Sequence, residues 1–251
     1  MKEVAMSKLS KTFVKDVRAV MTDSATFPAE WLAKVLVNDD NLCFLIANTR
    51  TQEALWVDPV REDMDLLMEE SQKLPGYRFI CVIDTHTHAD HISGAGQLAE
   101  KLGVPLVMHQ SAPTRSVSLR VSRDTLLPTA AGPLHLLVTP GHTCDGITPI
   151  WGPFVFGGDT ILYGDTGRDD LPTGNPEEHY QSLQKIKAAV KPTDIFLPGH
   201  DLEGGRACSW ETQLKVNASL NQTADQFIPE ARAFVGRAPK LLKESLFENF
   251  K

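Results

Sequence analysis

Short apolar runs separated by turn-forming residues dominate the chain from Ala33 onward. Val35–Val37, Leu42–Ala47 and Ala54–Val57, parted by Asn38-Asp39-Asp40-Asn41 and Asn48-Thr49-Arg50-Thr51, predict an antiparallel meander. Met64, Leu66, Leu67 and Met68 among charges predict a helix over Glu62–Lys73, stopped before Pro75-Gly76. Phe79–Ile83 is a β-branched apolar run and reads as a buried strand. Ser93–Leu102 predicts a helix closed by Gly103, and Pro105–Met108 the next strand. Further strands fall at Leu134–Thr139, at a hairpin of Ile147–Trp151 and Phe154–Phe156, and at Ile195–Leu197. Between them, Asn175 caps a helix over Pro176–Val190, with Pro176 in its first turn and Tyr180, Leu183, Ile186 and Val190 on one face. Residues 1–32 read as an N-terminal extension or helix and residues 218–251 as a C-terminal helical tail on a single domain.

Strands before and after amphipathic helices fit the α/β class, with two sheets packed together and covered by helices on their outer sides. At 251 residues and 42% hydrophobic content, the chain is long enough for one such core. A formal charge of -7 argues against nucleic acid as a partner, because phosphate binding rests on Lys and Arg. No leader pattern or membrane-length apolar stretch is visible, so no membrane partner and a cytoplasmic location are expected. Cys43, Cys81, Cys144 and Cys208 form no C-x-x-C pair. Cys43 and Cys81 read as core residues, and Cys144 stands apart because it lies two residues after a candidate ligand.

The chemistry concentrates after the Phe79–Ile83 strand. His86, His88, Asp90 and His91 crowd four potential ligands into six residues, an arrangement that a divalent cation stabilises and that is costly without one. His142, Asp159 and His200 each follow an apolar run and a glycine, which lets the chain turn so that the ligand points back over the strand end. Together these seven residues suffice for one or two metal ions. His109 and His135 read as structural histidines and His179 as a helix-surface residue.

The order His-x-His-x-Asp-His, Gly-His, Gly-Asp, Gly-His resembles the metallo-β-lactamase superfamily over roughly residues 33–217. The resemblance implies an αββα sandwich of two mixed sheets flanked by helices. In two-metal members His86, His88 and His142 would form one site, Asp90, His91 and His200 a second, and Asp159 would bridge. Val57-Asp58-Pro59-Val60, the run from Gly158 to Leu171, His179-Tyr180 and Arg237-Ala238-Pro239-Lys240 are most similar to the persulfide dioxygenases, relatives of glyoxalase II. That resemblance implies one Fe(II) per chain on His86, His142 and Asp159, with His88, Asp90, His91 and His200 shaping the site around it. Asp90 and His91 are then expected to serve catalysis, and Arg168 and Tyr180 to bind a small thiol or persulfide substrate. A homodimer is a frequent state of such relatives. Where the family places a tyrosine and an arginine that hold glutathione, this chain has Leu202 and Leu214. Two further readings stay open: a hydrolase with two Zn(II) ions acting on a thioester or lactone, and a member used only for binding.

Overall fold

The computed structural model describes residues 12–201, 207–239 and 241–251. Two mixed sheets face each other across the core. The first has the order β1 (Phe13–Asp16), β2 (Trp31–Asn38), β3 (Asn41–Asn48), β4 (Glu53–Val57), β5 (Arg78–Ile83), β6 (Leu106–His109), β7 (Leu119–Val121). The second runs β13 (Cys208–Ser209), β12 (Ile195–Pro198), β11 (Phe154–Gly158), β10 (Ile147–Trp151), β9 (Leu134–Val138), β8 (Thr125–Leu127). Between the sheets lies a cluster that includes Phe44, Leu55, Ile83, Trp151, Phe154, Phe156 and Leu197. Trp31 of β2 meets Trp151 of β10 edge-on, at 4.9 Å between ring centroids, and ties the two layers together.

Helices cover both outer faces. The helices α1 (Met64–Gln72) and α2 (Ala95–Leu102) bury Leu67 and Leu98 against Leu45, Trp56 and Val82 of the first sheet. On the other side α3 (Pro176–Ala189), α4 (Trp210–Val216) and α5 (Ala224–Ala233) bury Leu183, Trp210 and Phe227 against Val155 and Phe196. A last helix, α6 (Leu242–Asn249), returns to the first sheet's side, where Arg61 pairs with Glu248 at 2.9 Å. The layers are therefore αββα.

The meander, the strand before the ligand cluster and the capped α3 form where apolar periodicity places them, with Asn175 Oδ1 accepting from the Glu177 and Glu178 amides. The N-terminal segment departs from expectation. Residues 13–16 form a strand, paired antiparallel with Val37 through Lys34 and not an extension or a helix. Val17 behind it is fully buried in the inter-sheet core. No helix among the described residues is long and apolar enough to cross a membrane.

Candidate metal centre

Four loops bring the ligand-type residues to one edge of the sandwich. Strand β5 runs parallel to β4 and β6, and β11 runs parallel to β12. Because β10 is antiparallel to both β9 and β11, the C-terminal ends of β9, β11 and β12 share one edge. The loops that follow β5, β9, β11 and β12 carry His86 to His91, His142, Asp159 and His200. Two glycines make the close approach possible. Gly158 has φ +49°, and a Cβ there would lie 2.5 Å from Thr85 Oγ1. A Cβ on Gly199 would lie 2.6 Å from Asp159 Oδ1.

One ligand atom each of His86, His142 and Asp159 lies within 4.8 Å of the others, and the same holds for His88, Asp90 and His91. Asp159 Oδ2 is the hub, at 3.9 Å from His86 Nε2, 3.6 Å from His142 Nε2 and 3.2 Å from His200 Nε2. The tautomers follow from what stands behind each ring. His142 Nδ1 lies 2.7 Å from the Arg168 carbonyl oxygen, which only accepts, so Nδ1 carries the proton and Nε2 is left as a lone pair. Thr85 donates its hydroxyl to Asp58, 2.8 Å away, and so accepts from His86 Nδ1 at 3.0 Å. That again leaves Nε2 bare, facing the hub.

Electrostatics agree with this division. Burial and the neighbouring His88 push His86 down to about 3, so its ring is neutral at pH 7. Burial opposes the charged form of His200, but Asp159 and Asp90 carry it up to about 9. Burial would raise the Asp159 carboxyl, yet His200, His86 and His142 hold it well below the usual carboxylate range. His88 Nε2 leans toward Asp58 Oδ1 at 3.3 Å and Asp84 Oδ1 at 3.8 Å. Burial opposes protonation of that ring, but these carboxylates raise it well above the ordinary histidine value.

The donor set fits a metal ion. Asp159 Oδ1 is buried without a hydrogen-bond partner, a cost that coordination by this carboxylate would relieve, and His88 Nδ1, His91 Nε2 and His200 Nδ1 around it are likewise buried and unpartnered. His86, His142 and Asp159 would hold one ion, and His88, Asp90, His91 and His200 stand around it. The cleft in front of them has a volume of about 380 Å³ and is lined by Asp90, His142, Asp159, Arg168 and His200.

The expected substrate residues lie differently. Arg168 borders the cleft, but its Nε and Nη2 donate to the two carboxylate oxygens of Asp170 at 2.5 and 2.7 Å, and its Nη1 donates to the Arg237 carbonyl. The edge that would match an anionic substrate is therefore occupied. Tyr180 packs beside Phe227, ring centroids 6.0 Å apart, in the cluster between α3 and α5, and Leu214 belongs to the same cluster. Leu202 and Lys240 lie outside the described residues. His179 corrects its surface assignment: it is fully buried, with Nδ1 2.7 Å from Asp169 and Nε2 2.7 Å from the Thr160 carbonyl.

Other functional side chains carry little signal in sequence. Asp58 sits at φ +51° and accepts from both the amide and the hydroxyl of Thr85. Asp145 accepts from the amide and hydroxyl of Thr87 and so ties the His142 loop to the histidine loop. Asn249 reaches that loop from α6. Only the Asp-Pro pair after β4 marks Asp58, and no local pattern marks the other two.

A family model described as the metallo-beta-lactamase superfamily matches residues 38–200. Among curated relatives, hydroxyacylglutathione hydrolase of Idiomarina loihiensis is 27% identical over 78% of this chain and 71% of its own length. The human mitochondrial persulfide dioxygenase ETHE1 is 27% identical over 74% of this chain and 73% of its own. The crystal structure of ETHE1 from Myxococcus xanthus superposes with a TM-score of 0.77 at 27% identity, covering 90% of this chain and 97% of that one. With its αββα layers, its glycine-turned ligands at one sheet edge and this match across most of its length, the chain belongs to the metallo-β-lactamase superfamily.

Proposed function

We propose that this chain is a non-haem iron persulfide dioxygenase acting on glutathione persulfide or a related low-molecular-weight persulfide. Persulfide, O2 and one water yield thiol, sulfite and two protons. The observation that carries this reading is the compact trio of His86, His142 and Asp159, set against a His88 ring that leans on Asp58 and Asp84. His86, His142 and Asp159 would hold Fe(II), which would supply the redox chemistry between O2 and the persulfide sulfur.

The chain's own residues do the rest. The Arg168 carbonyl and the Thr85 hydroxyl lock the rings of His142 and His86 so that each presents Nε2. His200 holds a proton beside Asp159 and Asp90 and is placed to donate it to a developing anion in the cleft. Asp90 lines the cleft and is held by His91 through an Oδ2 to Nδ1 contact of 2.9 Å, so that the pair is assigned to take the persulfide proton at the Asp90 carboxylate.

The second group, His88, Asp90 and His91, supports one alternative: two Zn(II) ions hydrolysing a thioester or lactone, in line with the relative named hydroxyacylglutathione hydrolase. Protein purified without added metal is expected to hold about one equivalent of iron per chain and to take up O2 with at least one low-molecular-weight persulfide, glutathione persulfide or a related one. Two equivalents of zinc, no O2 uptake and turnover of a thioester or lactone would replace the first reading by the second.

A further inference from the structure

Beside the metal cleft lies a second cavity of about 250 Å³. The two share Ala89 and Leu171, so the cavity adjoins, at those side chains, the cleft lined by Asp90, His142 and Asp159. Pro172 lines it, as do Leu242, Leu246 and Phe250 of α6 and its end. Cys144, the one exposed thiol among the four cysteines, faces it from the His142 loop.

The polar groups at this wall are few and mostly occupied. Thr87 donates to Asp145, and Ser111 contacts His109 Nδ1 at 2.7 Å and donates to the Cys144 carbonyl at 3.2 Å. Thr143 contributes a buried hydroxyl that has no partner. Among the described residues, no Lys, Arg or His lines the cavity. The one charged side chain among the described lining residues is Asp145, whose Oδ2 already accepts from Thr87, so the two carboxylates of a peptide carrier such as glutathione would lose their hydration here without gaining an ion pair. Across the cleft, the carboxylate-matching edge of Arg168 is held by Asp170.

We infer that this cavity is the subsite for an apolar substrate tail, and that the preferred substrate is an alkyl or aralkyl persulfide whose carbon skeleton lodges between Leu171 and α6 while its sulfur end enters the metal cleft. The inference rests on the sulfur chemistry proposed above and names the carrier that chemistry uses. It also gives α6 a role in specificity, since the helix supplies the apolar wall.

The test is a series of linear thiols, ethanethiol, butanethiol and hexanethiol, titrated into the metal-loaded protein, together with O2 uptake on the matching persulfides. Thiol affinity is expected to rise about three- to fourfold per methylene until the cavity is filled, as expected for burial of one CH2. Leu246→Trp, which fills the cavity from α6, should flatten that rise while metal content stays at the wild-type level. Cys144→Phe fills it from the His142 loop and gives the same readout if the first variant does not fold. A flat series in the wild-type protein overturns the subsite, and so does a rise that both filled variants retain. O2 uptake that fails with every persulfide while thiol affinity still climbs with chain length overturns the dioxygenase reading and leaves the subsite standing.

Discussion

The side-chain amide of Asn249 donates to the main-chain carbonyl of His91 at 3.0 Å, from a helix 158 residues further along the chain. The same nitrogen donates to the His88 carbonyl at 3.0 Å, and Asn249 Oδ1 accepts from the Ser93 amide at 2.9 Å. Three backbone groups of the histidine loop are thus satisfied by one buried side chain. The Thr114 hydroxyl donates to the Asn249 carbonyl and Arg61 pairs with Glu248, which fixes the end of α6 to the first sheet's side. The loop that presents four ligand-type residues is held in place by the end of the chain.

Asn249→Ala therefore removes the latch and leaves two loop carbonyls and one amide without a partner. Metal affinity should fall by about 10- to 100-fold, the range seen when an outer contact to a ligand is lost. Competition with a chelator checks this, and Asn249→Gln serves as the variant that retains the amide. Wild-type affinity in Asn249→Ala would show that the loop holds its shape without α6.

His142 and His109 give a sharper contrast. His142 has its Nδ1 anchored on the Arg168 carbonyl and aims Nε2 at Asp159, whereas His109 has its Nδ1 2.7 Å from the Ser111 hydroxyl at the end of β6. His142→Ala is expected to abolish bound metal and His109→Ala to retain it, as measured by elemental analysis of the purified variants. Equal retention in both would make the ligand assignment wrong.

The ligands were legible because each sits beside a strand end whose apolar run is unambiguous, as with Phe156-Gly157-Gly158-Asp159. Strand β1 was not, because none of its four residues is buried and only Val14 is half-buried, so no alternation betrays it. It exists through its ladder to β2. Its position at the sheet edge asks little of its side chains. On α3 the apolar periodicity pointed to Tyr180, Leu183, Ile186 and Val190, yet the fully buried set includes His179. The face turned slightly because Asp169 and the Thr160 carbonyl satisfy both nitrogens of His179, and such long-range satisfaction leaves no periodic trace. Asn249 is the extreme case, since its partners lie 156 to 161 residues earlier in the chain.

That His179 arrangement makes a prediction about stability. His179 and Asp169 form a contact of 2.7 Å with side-chain exposures of 0% and 2%. The loop from Asp165 to Leu171 also carries the Arg168 carbonyl that fixes His142. His179→Leu should destabilise the fold by about 3–5 kcal/mol, because it strands a buried carboxylate. The double variant His179→Leu/Asp169→Leu should recover part of that loss in urea unfolding. A double variant no more stable than the single one would mean that the pair is not the cause.

Asp170 extends the argument to pH. The hydrogen bond from Arg168 lowers its carboxyl to about 2, against the opposing effect of burial and with help from the Gly236 amide. A carboxyl held lower in the folded chain than in the unfolded one binds fewer protons when folded, so it contributes stability that is fully present above the unfolded value of about 3.9. That contribution is lost as pH falls from there through about 2. Asp170→Asn should therefore lower stability at neutral pH and flatten the decline of unfolding free energy between roughly pH 4 and pH 2 relative to the wild-type chain. The same substitution frees the carboxylate-matching edge of Arg168 at the rim of the cleft. If Asp170 is what keeps that edge from substrate, Asp170→Asn should bind a carboxylate-bearing thiol such as glutathione more tightly than the wild type does, while its affinity for hexanethiol is little changed. Equal glutathione affinity in the two proteins would show that Arg168 does not face the bound thiol, whatever its partner.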